Sequence, residues 1–166
     1  MKKMILMFIC VATALGLWAQ DREAEMATVL GAPASVSHHV RVGDARLELR
    51  GVYVLDGLLW FSLRMSNGSV IDWRGSPMRI VIRDRRVWKR RARQEQSLVT
   101  IARREVLLVR SDSVISLCYG IVPRLPGKRQ DLVLEWRERN GDRRMSLRLD
   151  RKDILKSKKL DRYASR

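Results

Sequence analysis

The chain has 166 residues, with 34 Lys and Arg against 18 Asp and Glu, a formal net charge of +16. That length suits one domain of moderate size and excludes two large ones. So positive a field selects anionic partners (nucleic acid, acidic lipid or glycan, an acidic protein face) without choosing among them, and Arg, the dominant cation, is suited to carboxylate and phosphate pairing. A high-GC genome also biases composition toward Arg.

Lys2 and Lys3 precede an uncharged apolar run, Met4 to Ala19, and the chain turns charged at Asp21-Arg22-Glu23. This is the pattern of a secretory signal peptide over residues 1–20, cut after a small residue at Ala19-Gln20, although Leu17 is bulky for its place. The run is short of the roughly 20 residues that an uncleaved anchor needs. Lipid attachment at Cys10 is disfavoured, because Ile9 before it is not small. Export leaves a chain that is soluble or peripherally membrane-associated. Cys10 departs with the leader, so Cys118 has no intramolecular partner and no disulfide framework forms. Its place in the apolar run Ile115 to Val122 predicts a buried, unreactive thiol.

Residues 21–39, with Gly31, Pro33, Ser35 and Ser37, read as a flexible lead-in. His38-His39 falls short of a metal site: neighbours on a strand face opposite ways, and no third ligand is in sight. From Val40 the pattern is β. Leu47 and Leu49, then Val52 and Val54, alternate across a change of phase at Gly51, which predicts a bulge. Asp56-Gly57 predicts a hairpin turn. Leu59, Phe61, Leu63 and Met65 alternate to the turn Ser66-Asn67-Gly68-Ser69. Trp60 lies on the opposite face, where a second layer or a partner would cover it.

Met78, Ile80 and Ile82 form the next strand. Arg93 to Arg104 is permissive of a helix, but a basic hairpin tip followed by a strand fits the flanks better. Val106 to Val109 and Val114 to Val122 read as strands. Leu132, Leu134 and Trp136 alternate up to Asn140-Gly141, a second hairpin signal, and Met145, Leu147 and Leu149 return. Residues 152–166 form a basic tail with room for a brief helix. The expected fold is an all-β, antiparallel β-sandwich of about seven to nine strands over residues 40–151.

No enzyme constellation is visible: no G-x-S-x-G, no H-E-x-x-H and no Gly-rich phosphate loop. Neither a catalytic residue, a metal nor a cofactor is expected. The sharpest local feature is the run from Arg83 to Arg93, with seven cations in eleven residues. Arg83, Arg85, Arg86, Lys89, Arg90, Arg91 and Arg93 are the candidate partner-binding residues, with Trp88 as an anchor. Three readings stand. The run is a solvated hairpin whose charges protect a strand edge, a docking surface for an acidic protein, or a phosphate-tracking loop with a stacking aromatic. Export counts against routine nucleic-acid work, but not against DNA in a transfer channel.

Certain stretches also carry a resemblance. They are Gly51-Val52-Tyr53-Val54, Leu58 to Leu63, Ser66 to Ser69, Ile71-Asp72-Trp73, Met78 to Arg86, Lys89-Arg90, Ala92 to Glu95 and Glu138 to Arg144. Together they resemble the C-terminal domain of TraN from Bacteroides-type conjugative transposons, over about Val40 to Lys159. The resemblance implies an exported, non-enzymatic subunit of a conjugative DNA-transfer apparatus in the periplasm or at the outer membrane. It is akin to the type IV secretion subunit whose β-sandwich packs on a partner lipoprotein. Implied partners are other envelope subunits of that apparatus, or further copies of this chain. Two departures are visible. TraN proteins carry a sizeable domain before this one, and Asp142 stands where the family favours a second Gly. A nucleic-acid-binding or adhesion β-domain unrelated to transfer is the alternative.

Overall fold

A computed structural model describes residues 20–85 and 94–161. The elements run in chain order as α1 (residues 20–31), β1 (His38–Val42), β2 (Ala45–Leu55), β3 (Leu58–Asn67), β4 (Trp73–Arg74), β5 (Arg79–Asp84) and β6 (Glu95–Leu98). They continue as β7 (Thr100–Arg104), β8 (Leu108–Val109), β9 (Ser113–Ile121), β10 (Gln130–Arg137), β11 (Arg144–Leu149), α2 (Arg151–Leu155) and β12 (Lys158–Lys159). One sheet has the order β1-β2-β3-β9-β7, with β12 also pairing β2; the other runs β11-β10-β5-β6, and β4-β8 is a short ribbon. Every pairing is antiparallel except the parallel one of β12 with β2. The protein is thus the expected all-β sandwich.

Period-two alternation decides which side chains meet between the sheets. Leu47, Leu49, Val52, Phe61, Leu63, Met65, Leu117 and Tyr119 of the larger sheet share one buried cluster with Ile80, Leu134, Trp136, Met145, Leu147 and Leu149 of the smaller. Fully burying an aliphatic side chain of this kind contributes about 1.5–3 kcal/mol before ordering costs. The phase change at Gly51 is a bulge, with the register shifting between Leu49 and Gly51. The Tyr53 ring lies over Gly51, where a Cβ would come within 2.2 Å of its hydroxyl. Asp56 (φ 48°) and Gly57 (φ 74°) make the hairpin turn, both left-handed as a type I′ turn requires.

The lead-in is where expectation fails. Residues 20–31 are helical rather than flexible. Met26 and Val29 of α1 are buried in a second cluster with Tyr53, Leu55, Leu58, Trp60 and Cys118, on the outer face of the larger sheet. Met26, Val29 and Leu30 recur at the three- and four-residue spacing of one helix face, a stripe short enough to hide beside Gly31 and Pro33. This second layer buries Trp60, whose Nε1 donates to Leu55 O at 3.2 Å. Residues 33–36 then cross the bulge: Ser35 N and Val36 N both donate to Arg50 O, at 2.8 and 3.2 Å. Tyr53 Oη donates to Pro33 O at 2.5 Å.

Residues 152–161 of the tail pack back onto the sandwich. Asp150 and Asp153 form a reciprocal capping box for α2. Leu160 N then donates to Val54 O at 2.9 Å, and Leu160 packs against the second cluster. Cys118 lies in that cluster, and burial pushes its thiol up to about 11. No helix among the described residues is long and apolar enough to cross a membrane.

Candidate functional site

The basic run is the connection between β5 and β6, which pair with Arg83 opposite Glu95. This is the hairpin read from the sequence. Its tip lies outside the described residues, and with it Arg86, Trp88, Lys89, Arg90, Arg91 and Arg93. Of the eight candidates, Arg83 and Arg85 are placed. They sit on the outer face of the smaller sheet, with Arg79 and Val81 of β5.

Arg83 is not available to a partner. It is buried, with Nη2 2.6 Å from Glu135 Oε1 and 2.6 Å from Glu95 Oε2. Burial opposes its charge, but the hydrogen bonds to Glu95 and Glu135 outweigh this and hold its pKa above the ordinary value. Arg85 is more open. Its Nε donates to Asp131 Oδ1 at 2.7 Å, and Nη2 lies 3.9 Å from Asp150. Arg85 N also donates to Arg129 O at 2.9 Å, so the basic run leaves the sheet beside Lys128 and Arg129 of the β9–β10 connection.

The residue that organises this face is Glu135, on the central strand β10. Its carboxylate is fully buried and shared among four guanidiniums: Arg144 at 2.5 Å, Arg83 at 2.6 Å, Arg137 at 3.6 Å and Arg79 at 3.9 Å. Burial raises the carboxyl pKa, and the bonds from Arg83 and Arg144 more than reverse this, leaving it below the usual range. Glu95 is lowered chiefly by its hydrogen bond from Arg83. Two carboxylates face four guanidiniums here, so positive charge is in excess. Arg79, Arg137 and Arg144 are each close to half exposed. Such a face can hold anionic groups by charge-assisted hydrogen bonds.

Sequence reasoning pointed at the loop and missed Glu135 and Arg144. The signal was there: on β10, Glu135 and Arg137 occupy the phase opposite Leu134 and Trp136. Directly after this strand, the Asn140-Gly141 signal gives a wider loop than a two-residue turn. Glu138 N donates to Arg143 O at 2.9 Å, closing residues 139–142. Gly141 keeps an ordinary φ; a Cβ there would come within 2.3 Å of Glu138 Oε2. The Glu138 carboxylate, pinned by Arg143 Nη2 at 2.5 Å, occupies the space. Arg143 also stacks 4.9 Å over the Trp73 ring, which meets Trp136 at 5.7 Å.

The remaining candidates are structural. His38 Nε2 lies 3.2 Å from Asp153 Oδ1. No group of three or more metal-ligating side chains occurs among the described residues. Trp60, Trp73 and Trp136 are fully buried, so none of the described tryptophans offers an exposed anchor.

Neither a search of curated proteins nor one of solved structures found a match. A protein-family model does match, over residues 21–159, which spans α1 and all twelve strands. The chain therefore belongs to the family described as a domain of unknown function, DUF4138.

Proposed function

We propose that this protein is an exported, non-enzymatic structural subunit of a conjugative DNA-transfer apparatus, similar to the C-terminal domain of TraN and docked to other envelope subunits. The observation that carries the reading is the correspondence of the TraN-like stretches with one continuous family match, residues 21–159. The match begins one residue after Gln20, which supports a leader over residues 1–20 and export to the periplasm or outer membrane.

The docking face on this reading is the outer side of the β5, β10 and β11 strands, with the basic run following β5 in sequence. Glu135 sets the guanidiniums of Arg79, Arg137 and Arg144 at fixed spacing. Preorganised arginines lose less freedom on binding than free ones. Arg85 lies beside this face, and the basic sequence from Arg86 to Arg93 adds positive charge to the same chain segment.

The test is recovery of the tagged protein from gently solubilised envelope, read by mass spectrometry. Other transfer-apparatus subunits should co-purify, and the reversal of Arg90 and Arg91 to Glu should weaken their recovery with no change in the melting curve. Recovery of the protein alone would overturn the assembly role. Binding to DNA whose log Kd rises linearly with log salt, in place of partner recovery, would favour the phosphate-tracking reading.

A further inference from the structure

The end of the sandwich remote from the basic run carries a second, differently built surface. Residues 70–75 and 107–109 form its floor through the β4–β8 ribbon, with Trp73 opposite Val109 and Arg74 opposite Leu108. Val70 is 92% exposed and Ile71 64%, while Leu107 and Leu108 are each more than two-fifths exposed. Four aliphatic side chains held in water on adjoining segments are more than the scattered single exposures normal for a protein surface.

Two grooves divide this surface. One, of about 510 Å³, is lined by Val70, Ile71, Asp72, Arg74, Glu138 and Asn140. The other, of about 520 Å³, is lined by Arg74, Gly75, Leu107, Leu108, Arg139 and Asn140. Arg74 and Asn140 belong to both and form the ridge between them. Arg139 N donates to Arg74 O at 2.7 Å, so the two arginines stand side by side on bonded backbones. Neither has an ion-pair partner among the described residues, whereas the neighbouring Arg143 is committed to Glu138. Of the two lining acids, Glu138 is paired with Arg143, and Asp72 Oδ1 accepts from Ser111 N at 3.0 Å.

We propose that this end of the sandwich docks an acidic, apolar peptide segment of another protein. A carboxylate of the segment sits on Arg74 and Arg139, and an apolar side chain enters the groove on either side. Charge complementarity selects the acid, since Arg74, between the grooves, and Arg139, bonded to it through the backbone, have no ion-pair partner among the described residues. The two grooves favour a peptide, whose side chains can enter them singly, over a flat bilayer. The ribbon and the Glu138–Arg143 clasp keep the ridge rigid, so little ordering cost falls on this side. The inference rests on this surface alone and holds whichever apparatus the protein serves.

The test is an array of short peptides whose central residue is Asp, Glu, Gln or Lys and whose flanks are Leu, Phe or Ser, probed with the purified full chain. The expected result is selection of a central acid with apolar flanks. Affinity for the best peptide, by fluorescence anisotropy, should fall at least about tenfold in the double variant Arg74→Glu, Arg139→Glu and clearly in Leu108→Ser. Arg148→Glu, on the smaller sheet's outer face, should leave it unchanged. Should a charge reversal disturb the melting curve, Arg139→Gln with Leu107→Ser gives the same comparison. No preference for a central acid, or an affinity indifferent to these substitutions, would overturn the proposal. So would binding to phosphatidylglycerol vesicles, in place of peptides, that the same variants abolish.

Discussion

Glu135 and Arg83 show how a charged side chain can be interior to a fold while its neighbours face water. A buried pair of this kind is costly to break from one side, because the remaining charge loses its partner in a dry place. Glu135→Ala should therefore destabilise the protein by about 3–5 kcal/mol in urea unfolding, more than a surface ion pair could account for. Glu135→Gln should cost less, since the amide oxygen still accepts one bond from Arg83 or Arg144. The sequence marks Glu135 only as an acid among arginines on the outward phase of a strand. That it gathers four guanidiniums depends on β5 and β11 flanking β10, and strand order is not local information. Arg83, a partner-binding candidate by sequence, is buried for the same reason: its partner Glu135 lies on the neighbouring strand β10.

At the scale of elements, the strands were legible because turn chemistry and alternation agree. Asp56-Gly57 and the Gly51 bulge are as expected, and the apolar run Leu58 to Phe61 becomes intelligible once α1 is seen. There the strand is covered on both faces, whereas Arg64 and Ser66 return to alternation where one face is wet. Helix α1 itself was hidden because only a single stripe of it is buried, beside residues that signal a loop. The helix should be the guard of Cys118. In a Cys10→Ser background, a thiol reagent at mild pH should leave Cys118 untouched, consistent with a thiol raised to about 11 by burial. Val29→Asp, which sets a carboxylate in the second cluster, should open the layer and make labelling fast without global unfolding. Labelling that waits for full denaturation in both proteins would show that the sheet, not the helix, protects the thiol.

For the molecule as a whole, the acids are the minority and nearly every structural one is engaged. Glu95 and Glu138 are held below the usual carboxylate range by Arg83 and Arg143, Glu135 by its arginines against burial, and Asp150 by the main-chain N–H of Asp153. Groups depressed in the folded state contribute stability that is complete above their unfolded pKa, near 4, and lost as pH falls through the lower folded values. The melting temperature should thus hold down to about pH 5 and drop steeply toward pH 3. Glu135→Gln should flatten that drop, as followed by circular dichroism. A melting temperature independent of acid would mean that these pairs are already broken in solution.

The two outer faces of the sandwich are finished in different materials. The larger sheet wears a helix held by carbon contacts; the smaller wears a lattice of guanidinium and carboxylate. Concentrated sodium sulfate tightens the first and screens the second, while a mild detergent at low ionic strength does the reverse. A wash chosen to strip a basic protein from a cell envelope is therefore also a choice of which side of this domain to loosen. The conditions of extraction will decide which associations survive to be found.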